Sequence, residues 1–350
     1  MSNKELKIRY KMKRITNVSL LFGLASLMLF SACQKDLLLL EKSIEKELER
    51  GIESGFDGII IYVNQAGKSS LYSAGWKNRA QQIPADPHAL FKIASISKLY
   101  EAAAVSKLVA SGQLSLESTL SELIPEVDGK IENADKITLK MMLGHRSGIP
   151  DFIYQPDFEN SDPNESYLTT AALIFNQSAD FKPDKKYGYS NTNYLLIGEI
   201  MDRTLDYPHH DYIKNELLIP NGLTNTYSLY SEVDSNEVMS GYYKGYDPDL
   251  KSDLYTRPGG SMVATAEDVG QFLRYLIDGT LFNENEQKIY SSIYEYEHTG
   301  WSPGYTSIAR YNSDVDAIVI QFVSTGHNSL FWSELEGMYG RINKIIEKEN

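Results

Sequence analysis

Leu40, Ile44, Leu48 and Ile52 recur every fourth residue among Glu and Lys, a spacing that predicts an amphipathic helix. The pattern then changes. Gly58-Ile-Ile-Ile-Tyr-Val63 and Ser69-Ser-Leu-Tyr-Ser-Ala74 flank Asn64-Gln-Ala-Gly67, which reads as two antiparallel strands joined by a short turn. The run Ser95-Ile-Ser-Lys-Leu-Tyr-Glu-Ala-Ala-Ala104 predicts a helix that starts at a serine cap or first turn, with Gly112 as its C-cap. From 113 to 235 short helical patterns alternate with Pro/Asp/Asn-rich loops such as Pro150-Asp151 and Asn160-Ser-Asp-Pro-Asn164. Thr265 has the features of an N-cap for a long helix with Val269, Phe272, Leu273 and Leu276 on one side. Tyr305–Tyr311 and Ala317–Val323, separated by Asn312-Ser-Asp314, predict a hairpin, and Trp332–Lys348 a final helix.

Strands therefore lie at both ends of the sequence, with a mostly helical stretch between them. The expected class is α+β: an antiparallel sheet built from both chain ends and flanked by helices, with a helical lobe inserted at about 113–260. Clefts form where such lobes meet.

The N-terminus follows a different logic. Lys4, Lys7, Arg9, Lys11, Lys13 and Arg14 precede an apolar stretch from about Val18 to Ala32, and small residues lead to Cys33. This is the pattern of an export signal covering residues 1–32. It is similar to a bacterial lipoprotein signal, in which the cysteine becomes the lipid-modified first residue, although Phe30 stands where Leu is commoner. Cys33 is the single cysteine, so an intramolecular disulfide and a Cys-rich zinc site are excluded, and lipid attachment is the reading that uses it. An uncleaved anchor helix is the rival. Either way residues 33–350 are expected outside the cytoplasm, tethered to a membrane in the bacterial cell envelope. Removing residues 1–32 takes away six Lys/Arg and one Glu and moves the formal charge from −13 to −18. Nucleic acid, which needs a basic face, is then excluded as a partner.

Candidate chemistry centres on Ser95. A serine hydroxyl is a weak nucleophile until a base takes its proton, and Lys98, three residues along the same helix, faces the same side while Ser97 points about 100° away. A lysine is ordinarily protonated at neutral pH, so a second titrating group is expected. Tyr189, in the loop Tyr187-Gly-Tyr-Ser-Asn-Thr-Asn-Tyr194 ahead of the apolar run Leu195-Leu-Ile-Gly-Glu-Ile200, can shuttle a proton beside a lysine cation. Asn191 offers both a donor and an acceptor for Lys98 and a substrate amide. The backbone N–H groups of Ser95 and Trp301 are candidate oxyanion donors. His298 and Thr299 are placed to bind a substrate carboxylate or the leaving group, and Gly300 to let substrate approach closely. The set reads as a serine hydrolase for small peptide, amide or ester substrates, with no metal or cofactor.

Competing patterns are weaker. Ser43/Lys46 repeats the serine–lysine spacing in a charged helix, and Tyr62/Asn64 repeats the tyrosine–asparagine one. His145 and Ser147 beside Gly148 read as a turn with local hydrogen bonds. His209-His210 near Asp206 and Asp211 lacks a third spaced ligand and reads as a solvated loop. Asp247-Pro-Asp249 with Asp253 lacks the central glycine of a calcium loop.

Phe91-Lys-Ile-Ala-Ser-Ile-Ser-Lys98, Leu143-Gly-His-Arg-Ser-Gly-Ile-Pro150, Tyr189-Ser-Asn-Thr-Asn-Tyr194, Gly259-Gly-Ser-Met-Val-Ala-Thr-Ala-Glu-Asp268 and His298-Thr-Gly300 together resemble the serine β-lactamase and penicillin-recognising D,D-peptidase family. The likeness is to its class C β-lactamase-related branch, which also holds esterases and D-aminopeptidases, and it extends over roughly residues 38–348. It implies a Ser95 acyl-enzyme, Lys98 and Tyr189 as the proton-transfer pair with their division of labour open, and Asn191 with the third motif on the substrate side. His298 departs from the family's Lys-Thr-Gly and replaces a permanent cation with a group near pKa 6.5, which weakens carboxylate binding. Peptidase, amidase or esterase activity gains over efficient β-lactam hydrolysis. A reading from another class is a non-catalytic surface protein that uses the fold to bind peptides or glycans.

Overall fold

The computed structural model describes residues 43–326 and 329–349. Helix α1 (Ile44–Glu53) opens them, followed by β1 (Gly58–Gln65), β2 (Lys68–Asn78), β3 (Ile83–Pro84) and β4 (Phe91–Lys92). After α2 (Ser97–Ala110) come short helices α3 (Leu120–Leu123), α4 (Leu139–Leu143) and α5 (Tyr167–Ala171), then α6 (Asn191–Leu205) and α7 (His209–Ile213). Two-residue strands β5 (Thr226–Tyr227), β6 (Tyr242–Tyr243) and β7 (Val263–Ala264) precede α8 (Ala266–Asp278) and α9 (Glu284–Ile293). Strands β8 (His298–Ser302), β9 (Tyr305–Asn312), β10 (Ala317–Val323) and β11 (Thr325–Gly326) lead to α10 (Ser329–Glu349).

The main sheet has the order β3-β2-β1-β10-β9-β8, all antiparallel, so the N-terminal hairpin and the C-terminal strands meet at β1 and β10. That pairing explains why β1 reads as a continuous apolar run. Alternate residues point to opposite faces, and both faces are covered. Ile59, Ile61 and Val63, with Val319 and Val323 of β10, pack under α1 and α10. Ile60 and Tyr62, with Ile318, Ile320 and Phe322, face the larger core that holds α2, α6 and α8.

Local signals set the ends of several helices. The Ser43 hydroxyl accepts the Lys46 N–H at 3.4 Å and caps α1, which accounts for that serine–lysine pair without chemistry. The Thr265 hydroxyl accepts the Asp268 N–H at 3.2 Å and caps α8, as its sequence predicts. The expected hairpin is β9–β10 and the expected C-terminal helix is α10. No described helix is long and apolar enough to cross a membrane. Leu40, the Val18–Ala32 stretch and Cys33 lie outside the described residues.

Candidate active site

Strand β4 pairs with β7, and the Ile93 N–H continues that pairing by donating to the Met262 carbonyl at 3.1 Å. The chain then turns sharply. Ala94 has φ +48°, a left-handed conformation that costs a side-chain-bearing residue on the order of 1–3 kcal/mol, and Ala94–Ile96 form one 3₁₀ turn that runs into α2 at Ser97. Ser95 thus sits on the tight first turn that opens the helix, one of the two placements its sequence predicts, and makes no capping bond. The buried Ser97 hydroxyl points the other way, donating to Ala94 O at 2.6 Å and accepting the Met262 N–H at 3.2 Å.

Lys98 is fully buried and its three ammonium hydrogens have three acceptors. Nζ donates to Ser95 Oγ at 3.1 Å, to Asn191 Oδ1 at 3.0 Å and to Gly259 O at 2.6 Å. Gly259, at φ +79°, has no room for a side chain, because a Cβ there lies 2.8 Å from Tyr194 Cβ and 3.0 Å from Lys98 Nζ. Two of the three acceptors are themselves held by buried carboxyls. Asn191 Nδ2 donates to Asp151 Oδ2 at 2.8 Å, and the Gly259 N–H donates to Glu101 Oε1 at 2.6 Å.

Tyr189 reaches the nucleophile from the other lobe. Its hydroxyl donates to Ser95 Oγ at 3.0 Å, and its ring centroid lies 5.1 Å from Lys98 Nζ. The ring stacks on His145, centroids 4.3 Å apart. His145 is buried at φ +53°, and its Nδ1 accepts the Ser190 N–H at 3.3 Å just before α6 begins at Asn191. Burial foremost, then the charge of Lys98, holds this imidazole down to about 3, so it is neutral. Ser147 donates to Asn193 Oδ1 at 2.6 Å rather than engaging His145.

The third motif forms β8, the edge strand of the sheet, with His298 opposite Ala309 and Gly300 opposite Ser307. Gly300 has a packing role that its sequence does not announce. A Cβ there meets Ile93 O and Ser307 Oγ, each at 2.3 Å, so the missing side chain lets β8 lie against the nucleophile turn. Ser307 Oγ also donates to Ile93 O at 3.0 Å. The His298 ring lies parallel to Tyr294, centroids 6.0 Å apart, and its Nδ1 contacts the Thr299 carbonyl. Desolvation first and Lys98 second hold His298 down to about 3. Thr299 and Trp301 are half-buried on the same strand.

His209 and His210 do not form a solvated loop. His209 is fully buried on α7, with Nδ1 2.7 Å from Asp202 Oδ1, and burial holds His210 down to about 2. Among the described residues no group of three or more His, Cys, Asp or Glu is placed to hold a metal ion. The sequence did not point to Gly259, Asp151 or Glu101 as neighbours of the lysine. Glu101 alone carried a local signal, because i and i+3 share a helix face.

A family model described as Beta-lactamase matches residues 40–292. Protein flp of Staphylococcus aureus (strain COL) is 25% identical over 277 residues, 76% of this chain and 55% of that protein. Penicillin-binding protein 4* of Bacillus subtilis (strain 168) is 26% identical over 212 residues, 59% of this chain and 46% of that protein. The chain spans about half the length of these curated relatives. Among solved structures, a D-amino acid amidase from Ochrobactrum anthropi SV3 complexed with D-phenylalanine superposes with TM-score 0.77 at 21% identity, covering 88% of this chain and 98% of that one. A β-lactamase/D-alanine carboxypeptidase from Pseudomonas syringae superposes with TM-score 0.72 at 15% identity, covering 86% and 97%. With its α+β fold of the β-lactamase and penicillin-binding type, the chain belongs to the β-lactamase family.

Proposed function

We propose that this protein is a serine hydrolase that forms an acyl-enzyme on Ser95 with peptide, amide or ester substrates, cell-wall peptides ending in D-amino acids among them. The observation that carries the reading is the convergence of Lys98 Nζ at 3.1 Å and Tyr189 Oη at 3.0 Å on Ser95 Oγ. In the acylation step Ser95 Oγ bonds to the substrate carbonyl carbon and its proton passes to the Lys98/Tyr189 pair. That pair returns the proton to the leaving nitrogen or oxygen as the scissile bond breaks. Water, deprotonated by the same pair, then bonds to the acyl carbon, and the pair returns that proton to Ser95 Oγ as the C–Oγ bond breaks. The Ser95 and Trp301 N–H groups are the candidate oxyanion donors, since β8 is an edge strand packed beside the Ser95 turn. Asn191 takes the substrate amide, and Thr299 lies along the acyl or leaving-group side.

The solved relatives that share this fold include a D-amino acid amidase and a β-lactamase/D-alanine carboxypeptidase, which supports the choice of substrate class. The neutral His298 supports amide and ester substrates over efficient β-lactam hydrolysis, because no permanent cation stands at the third motif. We place the protein in the cell envelope, exported by residues 1–32 and lipid-anchored at Cys33. Labelling with a fluorophosphonate or fluorescent penicillin tests the reading. Wild type takes the label and Ser95→Ala does not; equal labelling of the two removes the acyl-enzyme. Unchanged ligand affinity in Ser95→Ala, with no ester turned over by wild type, favours the non-catalytic binding protein instead. Loss of membrane fractionation in Cys33→Ser tests the anchor.

A further inference from the structure

Glu101 lies one turn beyond Lys98 on α2, buried, and the mechanism above does not use it. One carboxyl oxygen accepts the Gly259 N–H, while the carbonyl of the same glycine accepts a hydrogen of Lys98, each at 2.6 Å. The other oxygen, Oε2, is buried without a hydrogen-bond partner, and so is Nε2 of His209. His209 in turn is held through Nδ1 by Asp202. A neutral amide side chain suffices to hold a backbone N–H. A buried carboxyl is costlier, and it brings a charge that an amide does not.

We infer that Glu101 is a positioning residue for the proposed acyl transfer: it fixes the Gly259 peptide whose carbonyl orients Lys98, and its buried carboxyl sets the charge behind the lysine. The inference rests on the Ser95 acyl-enzyme reading and names the group that shapes its pH response. The groups around Glu101 come from several elements: Lys98 on α2, Tyr167 on α5, Tyr194 and Asp202 on α6, His209 on α7, and Tyr255 just before Gly259. Burial is the dominant influence and pushes the carboxyl up to about 7, with His209, the Gly259 N–H and Lys98 drawing it down and Asp202 adding to the rise. Below that pH Glu101 is a neutral acid. Above it, the carboxylate favours the ammonium form of Lys98 and opposes its use as a base.

Ester turnover by the full chain, followed from about pH 5.5 to about pH 9, tests this in wild type, Glu101→Gln and Glu101→Asp. The glutamine keeps an oxygen for the Gly259 N–H but no charge; the aspartate keeps the charge but withdraws it. The expected result is that the ratio of wild-type to Glu101→Gln kcat/KM falls roughly five- to tenfold as pH rises through 7, carried by kcat and not KM. Glu101→Asp retains the inflection at lower kcat. Parallel profiles in an active wild type and Glu101→Gln overturn the inference and leave the acyl-enzyme standing. Should Glu101→Gln fail to fold by circular dichroism, loss of the inflection in Glu101→Asp overturns it. A wild type with no Ser95-dependent turnover overturns both.

Discussion

The Tyr189 hydroxyl donates to Ser95 Oγ at 3.0 Å across 94 residues of sequence, and its ring rests on His145, which is itself held by the Ser190 N–H. The phenol is thus aimed from behind by a buried, neutral imidazole. The arrangement separates the hydroxyl's chemistry from the ring's packing, and a variant can remove one while keeping the other.

Tyr189→Phe retains the stack on His145 and loses the bond to Ser95. We expect kcat for ester hydrolysis to fall by about 10²–10⁴. The melting temperature should change little, because the residue is 39% exposed and its hydroxyl bonds only the nucleophile among the described residues. Steady-state kinetics and a thermal melt on the same sample check this, and an unchanged kcat removes Tyr189 from the proton path.

His298→Lys restores a fixed cation to β8. The expected gain is in binding: KM for peptides with a free C-terminal carboxylate falls roughly tenfold relative to their amides, as an added charge-assisted bond contributes about 1.5–3 kcal/mol. In wild type His298 is neutral down to about pH 3. The carboxylate-to-amide preference of wild type therefore stays flat between about pH 5 and 8. Competition kinetics with matched peptide pairs reads both effects.

Stability should fall on acidification below about pH 6.5. His145 titrates near its ordinary value when unfolded but only near 3 when folded, so the unfolded chain takes up the proton first. The contribution is fully present above the unfolded value and is lost as pH falls toward the folded one. His145→Asn suits the positive φ of this position and removes one such proton, so the slope of unfolding free energy against pH between about 6 and 4 becomes shallower. Denaturant titrations at a series of pH values measure the slope; an identical slope in the variant rules the residue out.

Gly300→Ala drives a methyl group into Ile93 O and Ser307 Oγ. The expected cost is about 1–3 kcal/mol of stability, with a larger proportional loss of acylation rate because the Ser95 turn is what the strand displaces. Comparing fluorophosphonate labelling rates at a temperature where both proteins are folded separates the two.

Much of the sheet was legible in the sequence because its strands are rich in β-branched and aromatic residues and are bounded by local turn chemistry, as in β9–β10. Strand β1 was legible as a strand, but its continuous run did not say that α1 and α10 cover the second face; that depends on a helix more than 260 residues downstream. His209 was misread because nothing near it in sequence shows that α2 and α6 close over α7. The contact of Gly300 with the nucleophile turn was hidden for a related reason, since a glycine records that space is scarce without recording what occupies it.

What the amino-acid order determined is the pairing of Ser95 with Lys98, because helix geometry alone brings residues three apart to the same side. Local spacing could not tell this serine–lysine pair from Ser43 and Lys46, nor choose Tyr189 among 24 tyrosines. Local context and the order of the motifs singled out both, and tertiary packing supplies the reason. It places Ser43 as a helix cap, and it brings Asn191 and Gly259 onto the buried amine and Tyr189 onto Ser95 from segments 93 to 161 residues away. Burial of that amine, a property of the closed core and not of any local pattern, makes its three hydrogen-bond acceptors obligatory.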